Sequence, residues 1–201
     1  MADYLEIEQK YEADAGFTLP ALDGLPGIAR VDGPHLYHLE ATYFDTEDLA
    51  LSQNKITLRR RTGGEDAGWH LKLPAGSARK EVREPLGSAA EVPLRLSSQV
   101  AALTEDRPLH PLATLKTERT VRRLFDDSGT LLVEVADDHV TARRLSPPGA
   151  ALSWREIEAE AGPDVTDAAH WLTLTGRLLL DAGARPARSG SKLAHLLNAS
   201  G

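Results

Sequence analysis

The segment Tyr4-Leu5-Glu6-Ile7-Glu8-Gln9-Lys10-Tyr11 decides how the rest of this sequence is read. Successive side chains of a β-strand point to opposite faces, so a period of two sorts the segment into two sides. Leu5, Ile7 and Tyr11 fall on one side, and Glu6, Glu8 and Lys10 on the other. Taken alone, this is an amphipathic strand with its charges in water, because charged side chains are mostly exposed. The segment gains weight because the same division into an apolar and a charged face recurs along the chain.

Composition sets the frame. The chain has 201 residues, 41% hydrophobic and 26% charged, which suits one globular domain with a sizeable core. We read residues 1–201 as a single domain with a helical C-terminal segment at 164–198. A net charge of −7 argues against a nucleic-acid partner. There is no cysteine, which excludes disulfides and thiolate metal sites and fits a cytoplasmic protein. The N-terminus lacks a basic-then-apolar leader. No apolar run approaches the roughly 18 residues of a membrane span, so no membrane association is expected.

Outward from the first segment, period-two stretches bounded by turn residues predict seven more strands. They lie at residues 35–45, 56–61, 69–73, 78–86, 115–125, 131–140 and 152–161. Gly63-Gly64-Glu65-Asp66-Ala67-Gly68 and Asp126-Asp127-Ser128-Gly129 read as hairpin turns. Leu22, Leu25 and Ile28 predict a short helix, and Thr46 an N-cap for another short helix ending near Gln53. A helix begins near Val92-Pro93, with proline in its first turn. From Asp164 the period becomes 3.6, through Trp171, Leu172, Leu178 and Leu179 to a stop at Gly183. Ser189 can cap a last helix over 191–197.

The strand faces differ in sign. Thr57, Arg59 and Arg61 share one face, as do His70 and Lys72. Thr117, Arg119 and Arg123 share another. Glu134 and Asp138 oppose Val133 and Val135, and Glu156, Glu158 and Glu160 alternate with Ile157 and Ala159. Two arrangements fit. In one, the apolar faces make a core and the charges face water, as in a half-solvated sheet. In the other, the sheet closes with charges inward around a wet tunnel, and helices cover its apolar exterior. Three alternate glutamates and three consecutive arginines (Arg59 to Arg61) favour opposite-charge ligands, because neighbouring like charges repel. The histidines show no paired metal-ligand spacing. His70 alone shares a face with a basic residue placed for substrate contact.

Several of these stretches resemble one family in order. Glu6-Ile7-Glu8-Gln9-Lys10 matches the ExExK motif of the CYTH family, also called triphosphate tunnel metalloenzymes. Tyr43-Phe44-Asp45-Thr46 resembles the segment before that family's basic strand. Leu58-Arg59-Arg60-Arg61 resembles its RxR strand, and Trp69-His70-Leu71-Lys72 its tunnel-lysine strand. Arg119, the Glu134/Asp138 strand, Arg155-Glu156-Ile157-Glu158 and Ser191-Lys192-Leu193 resemble its later basic strand, its acidic strand, its ExE pair and its C-terminal lysine. Glu118 departs from the basic or neutral residue expected there. Lys116, Arg122 and Arg123 therefore stay open as inward partners of Arg119.

The resemblance implies an α+β, mainly β fold: a closed eight-stranded antiparallel barrel with helices packed outside. It implies a metal-dependent hydrolase of triphosphates, with inorganic triphosphate as the leading substrate. Arg59, Arg61, Lys72, Arg119, Arg123, Lys192 and Lys10 would hold phosphate oxygens, forked guanidinium donors matching that group well. Glu6, Glu8, Glu134, Asp138, Glu156 and Glu158 would hold Mg²⁺ or Mn²⁺, hard cations that prefer oxygen ligands. Lys10, Glu8 and Glu158 would be the catalytic set, with Lys10 acting electrostatically because nearby carboxylates raise its pKa. The alternatives are an adenylate cyclase of the class IV type, a thiamine triphosphatase and a noncatalytic polyphosphate-binding module. A helical CHAD domain is the partner the resemblance implies in a longer parent chain.

Overall fold

A computed structural model describes residues 4–76, 78–87 and 91–199. One mixed-length antiparallel sheet dominates. Its strands are β1 (Tyr4–Glu6), β2 (Glu8–Ala13), β3 (Arg30–Asp45), β4 (Thr57–Thr62), β5 (Gly68–Ala75), β6 (Ala78–Glu84), β7 (His110–Phe125), β8 (Leu131–Arg144), β9 (Leu152–Ala161) and β10 (Arg185–Pro186). Four helices accompany them: α1 (Ala50–Gln53), α2 (Leu94–Thr104), α3 (Ala168–Asp181) and α4 (Lys192–Ala199).

The hydrogen-bonded order is β1-β6-β5-β4-β3-β7-β8-β9-β2-β10. This is an open series of ten strands, so the expected closed ladder of eight is not what forms. The difference starts in the opening segment. Its first half pairs with β6 (Leu5 opposite Lys80) and its second half with β9 (Lys10 opposite Glu158). The chain passes from the edge strand β1 to β2, the last strand but one at the far side, through Ile7, whose carbonyl accepts from Ala161 N at 2.9 Å. The two ends are thus tied by covalent chain, with a seam between β2 and β6 where no ladder forms among the described residues.

Alternation then decides what faces inward. Tyr11 and Ala13 of β2, Val133 and Val135 of β8 and Ile157 and Ala159 of β9 point outward and are covered by Leu172 and Leu179 of α3. Leu58, Trp69, Leu71 and Val82 of β4 to β6 point outward under Leu96 and Val100 of α2, with Leu51 of α1 beside them. The charged alternates face the interior. At one end of that interior, Leu193 and Leu196 of α4 pack against Tyr43, Ala113, Leu115, Val140 and Ala142. This helix is an apolar plug inserted where the β3, β7 and β8 inner faces turn from charged to hydrophobic.

Three expectations give way to local chemistry. No helix is assigned over 22–28; Leu25 N and Ile28 N close turns onto Leu22 O (3.4 Å) and Leu25 O (3.1 Å) instead. Pro26 offers no N–H, and Gly27 takes φ 83°, so two tight turns replace one helical one. The turns still bring Leu22 into the α3 core. The N-cap of α1 is Leu49 (φ 63°), not Thr46; just ahead of it the Asp45 carboxylate accepts from Thr46 N, Leu51 N and Ser52 N, and Thr46 Oγ1 accepts from Ala50 N at 2.9 Å. The last helix is capped by Ser191, whose Oγ accepts from Ala194 N at 3.1 Å, and not by Ser189.

Candidate functional site

The interior holds a cavity of about 440 Å³. Its acidic wall comes from β1, β2, β8 and β9: Glu6, Glu8, Glu134, Glu158 and Glu160. Its basic wall comes from β4, β5 and β7: Arg59, Arg61, Lys72, Arg119 and Arg123. Lys10 sits within the acidic wall, and Lys192 enters from the first turn of α4. Register makes the walls. Cross-strand pairs Glu8/Glu160 and Lys10/Glu158 join β2 to β9, and Arg119/Asp138 and Arg123/Glu134 join β7 to β8.

Next to the plug, opposite charges meet directly. Lys192 Nζ donates to Glu156 Oε1 at 2.6 Å and Glu158 Oε1 at 2.7 Å, and lies 2.8 Å from Asp138 Oδ2. Arg119 donates to both Asp138 oxygens (2.7 and 2.6 Å) and to Glu158 Oε2 (2.5 Å). Trp154 Nε1 donates to Glu156 Oε2 at 2.8 Å. Burial would raise the Glu158 pKa, but Lys10, Lys192 and Arg119 outweigh it and hold this carboxyl well below the usual range. Burial would lower Lys192, yet Asp138, Glu156 and Glu158 drive it well above the usual lysine range. Lys10 donates to Glu8 Oε2 at 2.8 Å and also to Glu158. Burial opposes its charge, Glu158 and Glu8 outweigh burial, and the ammonium titrates above its ordinary value. Lys10 is therefore a fixed cation.

Further along, charges are less well matched. The Nε atoms of Arg59 and Arg61 are buried with no hydrogen-bond partner. Burial, then repulsion from Arg59 and Arg119, brings the Arg61 guanidinium down to about 9. Tyr43 Oη accepts from Arg59 Nη1 at 3.3 Å. Burial would raise this phenol, but Arg59, Lys192 and Arg61 together lower it. On the opposite wall, burial and the neighbouring Glu6, Glu8 and Glu158 raise the Glu160 carboxyl to about 8 despite Lys72. Arg61 is thus crowded by other guanidiniums and Glu160 by other carboxylates, although Lys72 pairs with Glu6 at 2.5 Å across the two walls.

Oxygen donors for a hard cation are present. Ligand atoms of Asp138, Glu156 and Glu158 lie within 4.8 Å of one another, and an ammonium already sits among them. That set fits a divalent ion by chemistry. Glu6, Glu8 and Glu160 add carboxylates on the cavity surface.

Most residues expected from sequence converge here. Glu6, Glu8, Lys10, Arg59, Arg61, Lys72, Arg119, Arg123, Glu134, Glu158 and Lys192 all line the cavity. Asp138 (0% exposed) and Glu156 stand behind Lys192, off the cavity wall. Arg123 is the inward companion of Arg119; Lys116 lies on the outer face, 75% exposed. His70 does not reach the cavity, contrary to expectation. Its Nδ1 faces Glu81 Oε1 at 2.8 Å and its Nε2 the Asp66 carbonyl at 2.9 Å, with burial lowering it to about 4. Glu81, 0% exposed and bonded to Arg83 Nε at 2.5 Å, was not foreseen. Neither were Arg79, Arg83 and Tyr43 on the cavity wall. The alternation Arg79-Glu81-Arg83 was the signal for three of these.

Fold and site together define a sheet wrapped around a cavity with one acidic and one basic wall. The model of the CYTH domain matches residues 5–180, and the chain belongs to the CYTH family. An uncharacterized protein of Mycobacterium tuberculosis, found in strains CDC 1551 and H37Rv, is 41% identical over 210 residues, covering 98% of this chain and 41% of its own length. The chain thus spans about two fifths of these curated relatives. Among solved structures, a candidate adenylate cyclase of Bacillus halodurans has a TM-score of 0.68 at 19% identity, covering 97% of this chain and 98% of its own. A candidate adenylyl cyclase of Hippeastrum, described as having a dominant triphosphatase activity, has a TM-score of 0.52 at 18% identity, covering 97% and 96%. These two likenesses concern the fold. No helix among the described residues is long and apolar enough to cross a membrane.

Proposed function

We propose that the chain is a divalent-cation-dependent hydrolase of triphosphates, with inorganic triphosphate as its substrate. The observation that carries this reading is the pair of buried Nε atoms without hydrogen-bond partners, on Arg59 and Arg61, within a wall that also holds Lys72, Arg119 and Arg123. Buried donors without partners are rare, and several clustered guanidiniums suit a polyanion that accepts forked hydrogen bonds. The opposite wall supports a cation bound with it.

Arg59, Arg61, Lys72, Arg119 and Arg123 hold and orient the phosphoryl oxygens. Lys10, kept protonated by Glu8 and Glu158, adds fixed positive charge beside them, and Lys192 does the same from the plug. Glu6, Glu8, Glu134, Asp138, Glu156 and Glu158, with Glu160 added by the geometry, would hold Mg²⁺ or Mn²⁺. When bound, such an ion supplies charge to the phosphoryl oxygens and a water of lowered pKa. The plug packed by Leu193 and Leu196 keeps bulk water from one end.

The test is phosphate release from inorganic triphosphate, thiamine triphosphate and ATP with Mg²⁺ or Mn²⁺, and cyclic AMP formation from ATP. Glu8→Ala should abolish metal-dependent turnover, and Lys72→Ala should chiefly raise KM. Binding of polyphosphate without turnover of any substrate would replace the enzyme by a binding module. Wild-type kinetics in both variants would remove the site assignment.

A further inference from the structure

The β4–β5 hairpin loop carries two carboxylates to the open end of the basic wall. Gly63 and Gly64 take φ values of 77° and 73°, a region glycine enters without steric cost. A Cβ on Gly63 would lie 2.0 Å from the His38 carbonyl oxygen, and one on Gly64 would lie 2.8 Å from Leu39 Cδ2. These two residues let the loop fold flat onto β3 at the cavity mouth. There Glu65 Oε2 accepts from Arg123 Nη2 at 2.9 Å, and Glu65 Oε1 accepts from Tyr37 Oη at 2.6 Å. Asp66, the next residue, pairs with Arg61. His70 ties down the base of the loop through the Asp66 carbonyl. Tyr37, Arg61, Glu65, Asp66 and Arg123 all line the cavity.

Two cations of the basic wall are therefore already engaged by carboxylates from adjacent positions of one loop. Arg59, Lys72 and Arg119 lie behind that loop and hold none of its carboxylates. A carboxylate and a phosphate oxygen compete for the same guanidinium donors. A triphosphate spans the deeper cations and meets Arg61 and Arg123 with its outer phosphoryl group, whereas a longer chain that leaves by this end runs on past Glu65 and Asp66.

We propose that Glu65 and Asp66 are specificity-determining residues: a tethered acidic gate that sets an upper limit on the length of the phosphate chain the cavity takes. The inference rests on the triphosphate reading and extends it to chain length. A linear chain longer than the cavity that leaves by this end has to displace both carboxylates and then pass close to them, so its affinity falls relative to triphosphate. The engaged pairs are partly exposed (Glu65 62%, Asp66 34%), and pairs of that kind are individually weak. The gate therefore discriminates by a modest factor and does not block the mouth.

The experiment compares calorimetric affinities of the wild type and Glu65→Gln/Asp66→Asn for pyrophosphate, triphosphate and medium-chain polyphosphate. The ratio of polyphosphate to triphosphate affinity should rise about 3- to 10-fold in the double variant, with each single variant giving part of it. Glu40→Gln/Glu118→Gln, which removes the same charge from the exposed outer face, should leave the ratio unchanged. An unchanged ratio in the gate variant, or an equal rise in the outer-face control, overturns the gate while leaving triphosphate binding intact. If neither the wild type nor the gate variant binds triphosphate or polyphosphate, the triphosphate reading falls and the gate falls with it.

Discussion

The two ends of the interior hold similar numbers of charges under opposite conditions. Beside the plug, Lys192 and Arg119 meet Asp138, Glu156 and Glu158 in short, direct hydrogen bonds. Toward the mouth, Arg61 keeps an unbonded Nε atom, as Arg59 does one register step deeper, and burial with its glutamate neighbours pushes Glu160 up to about 8. A buried charge is tolerated when it is paired and hydrogen-bonded, and costs several kcal/mol when it is not. The plugged end is thus self-sufficient: its polar network is complete without a ligand and fixes the geometry of the strands. The mouth end keeps uncompensated charge that a bound anion or cation would offset. Under the proposed function, stability rests chiefly on the plugged end and phosphate affinity chiefly on the mouth end.

The largest effect should come from breaking the self-sufficient end. Lys192→Met leaves three buried carboxylates facing one another with only Arg119 and Lys10 nearby. Removing one member of a buried ion network costs about 3–5 kcal/mol, which for a chain of this length lowers Tm by roughly 10 °C. Thermal unfolding in a chelating buffer measures it. Because the ammonium now occupies the converging oxygens of Asp138, Glu156 and Glu158, Mn²⁺ should restore part of the lost Tm in the variant and much less in the wild type. A Tm within about 2 °C of wild type without metal would mean that the two ends do not differ as described.

The same kind of change at the mouth should have the reverse profile. Arg61→Met removes a cation that Asp66 only partly offsets, as its guanidinium near 9 indicates. Replacing an imperfectly compensated buried charge by an apolar side chain is often neutral, so unfolding free energy should shift by under about 1 kcal/mol. Triphosphate affinity should fall about 10- to 100-fold, the worth of one or two charged hydrogen bonds. Calorimetry beside thermal unfolding separates the two quantities. A large loss of stability with unchanged affinity would place Arg61 in the self-sufficient network instead.

This division was only half legible in the sequence. Period-two alternation identified eight strand segments and which charges share a face, because alternation is local; that the charged faces turn inward was implied only by the family resemblance. The splitting of residues 4–13 between β1 and β2 was not legible, since partner choice on either side of Ile7 depends on distant strands. The turns at 22–28 were hidden by apolar spacing, although Pro26 and Gly27 stood in the middle of it. Lys192 was identified as an inward lysine. That it fills the Asp138/Glu156/Glu158 cluster follows from α4 docking as a plug, which no periodicity encodes. Glu160 was visible as the third of three alternate glutamates. Its distinction from Glu158 is that Lys10, Lys192 and Arg119 all reach Glu158, whereas Glu8 and Glu134 are its own register partners. His70 shares a strand face with Lys72, but Glu81 and the hairpin loop claim both its nitrogens before the cavity can.

Glu160 offers the finest probe of the unbalanced end. An unfolded glutamate titrates near 4.5 and the folded one near 8. Between those values the folded state holds a proton that the unfolded state has lost. Stability contributed by this group is complete below about pH 4.5, falls as pH rises, and is gone once pH passes about 8. Glu160→Gln cannot ionise, so its Tm should match the wild type at pH 4.5 and exceed it at pH 8.5. Allowing for the partial exposure of the side chain, the gain is about 1–2 kcal/mol, or roughly 2–8 °C. Paired unfolding scans across that range read the difference directly. Glu8→Gln should reproduce part of the gain by removing one of the repelling neighbours, and Mg²⁺ should shrink the gap by stabilising the ionised carboxylates. A difference that is flat with pH would mean that Glu160 is ionised and satisfied in the folded state, and the mouth would then be as balanced as the plugged end.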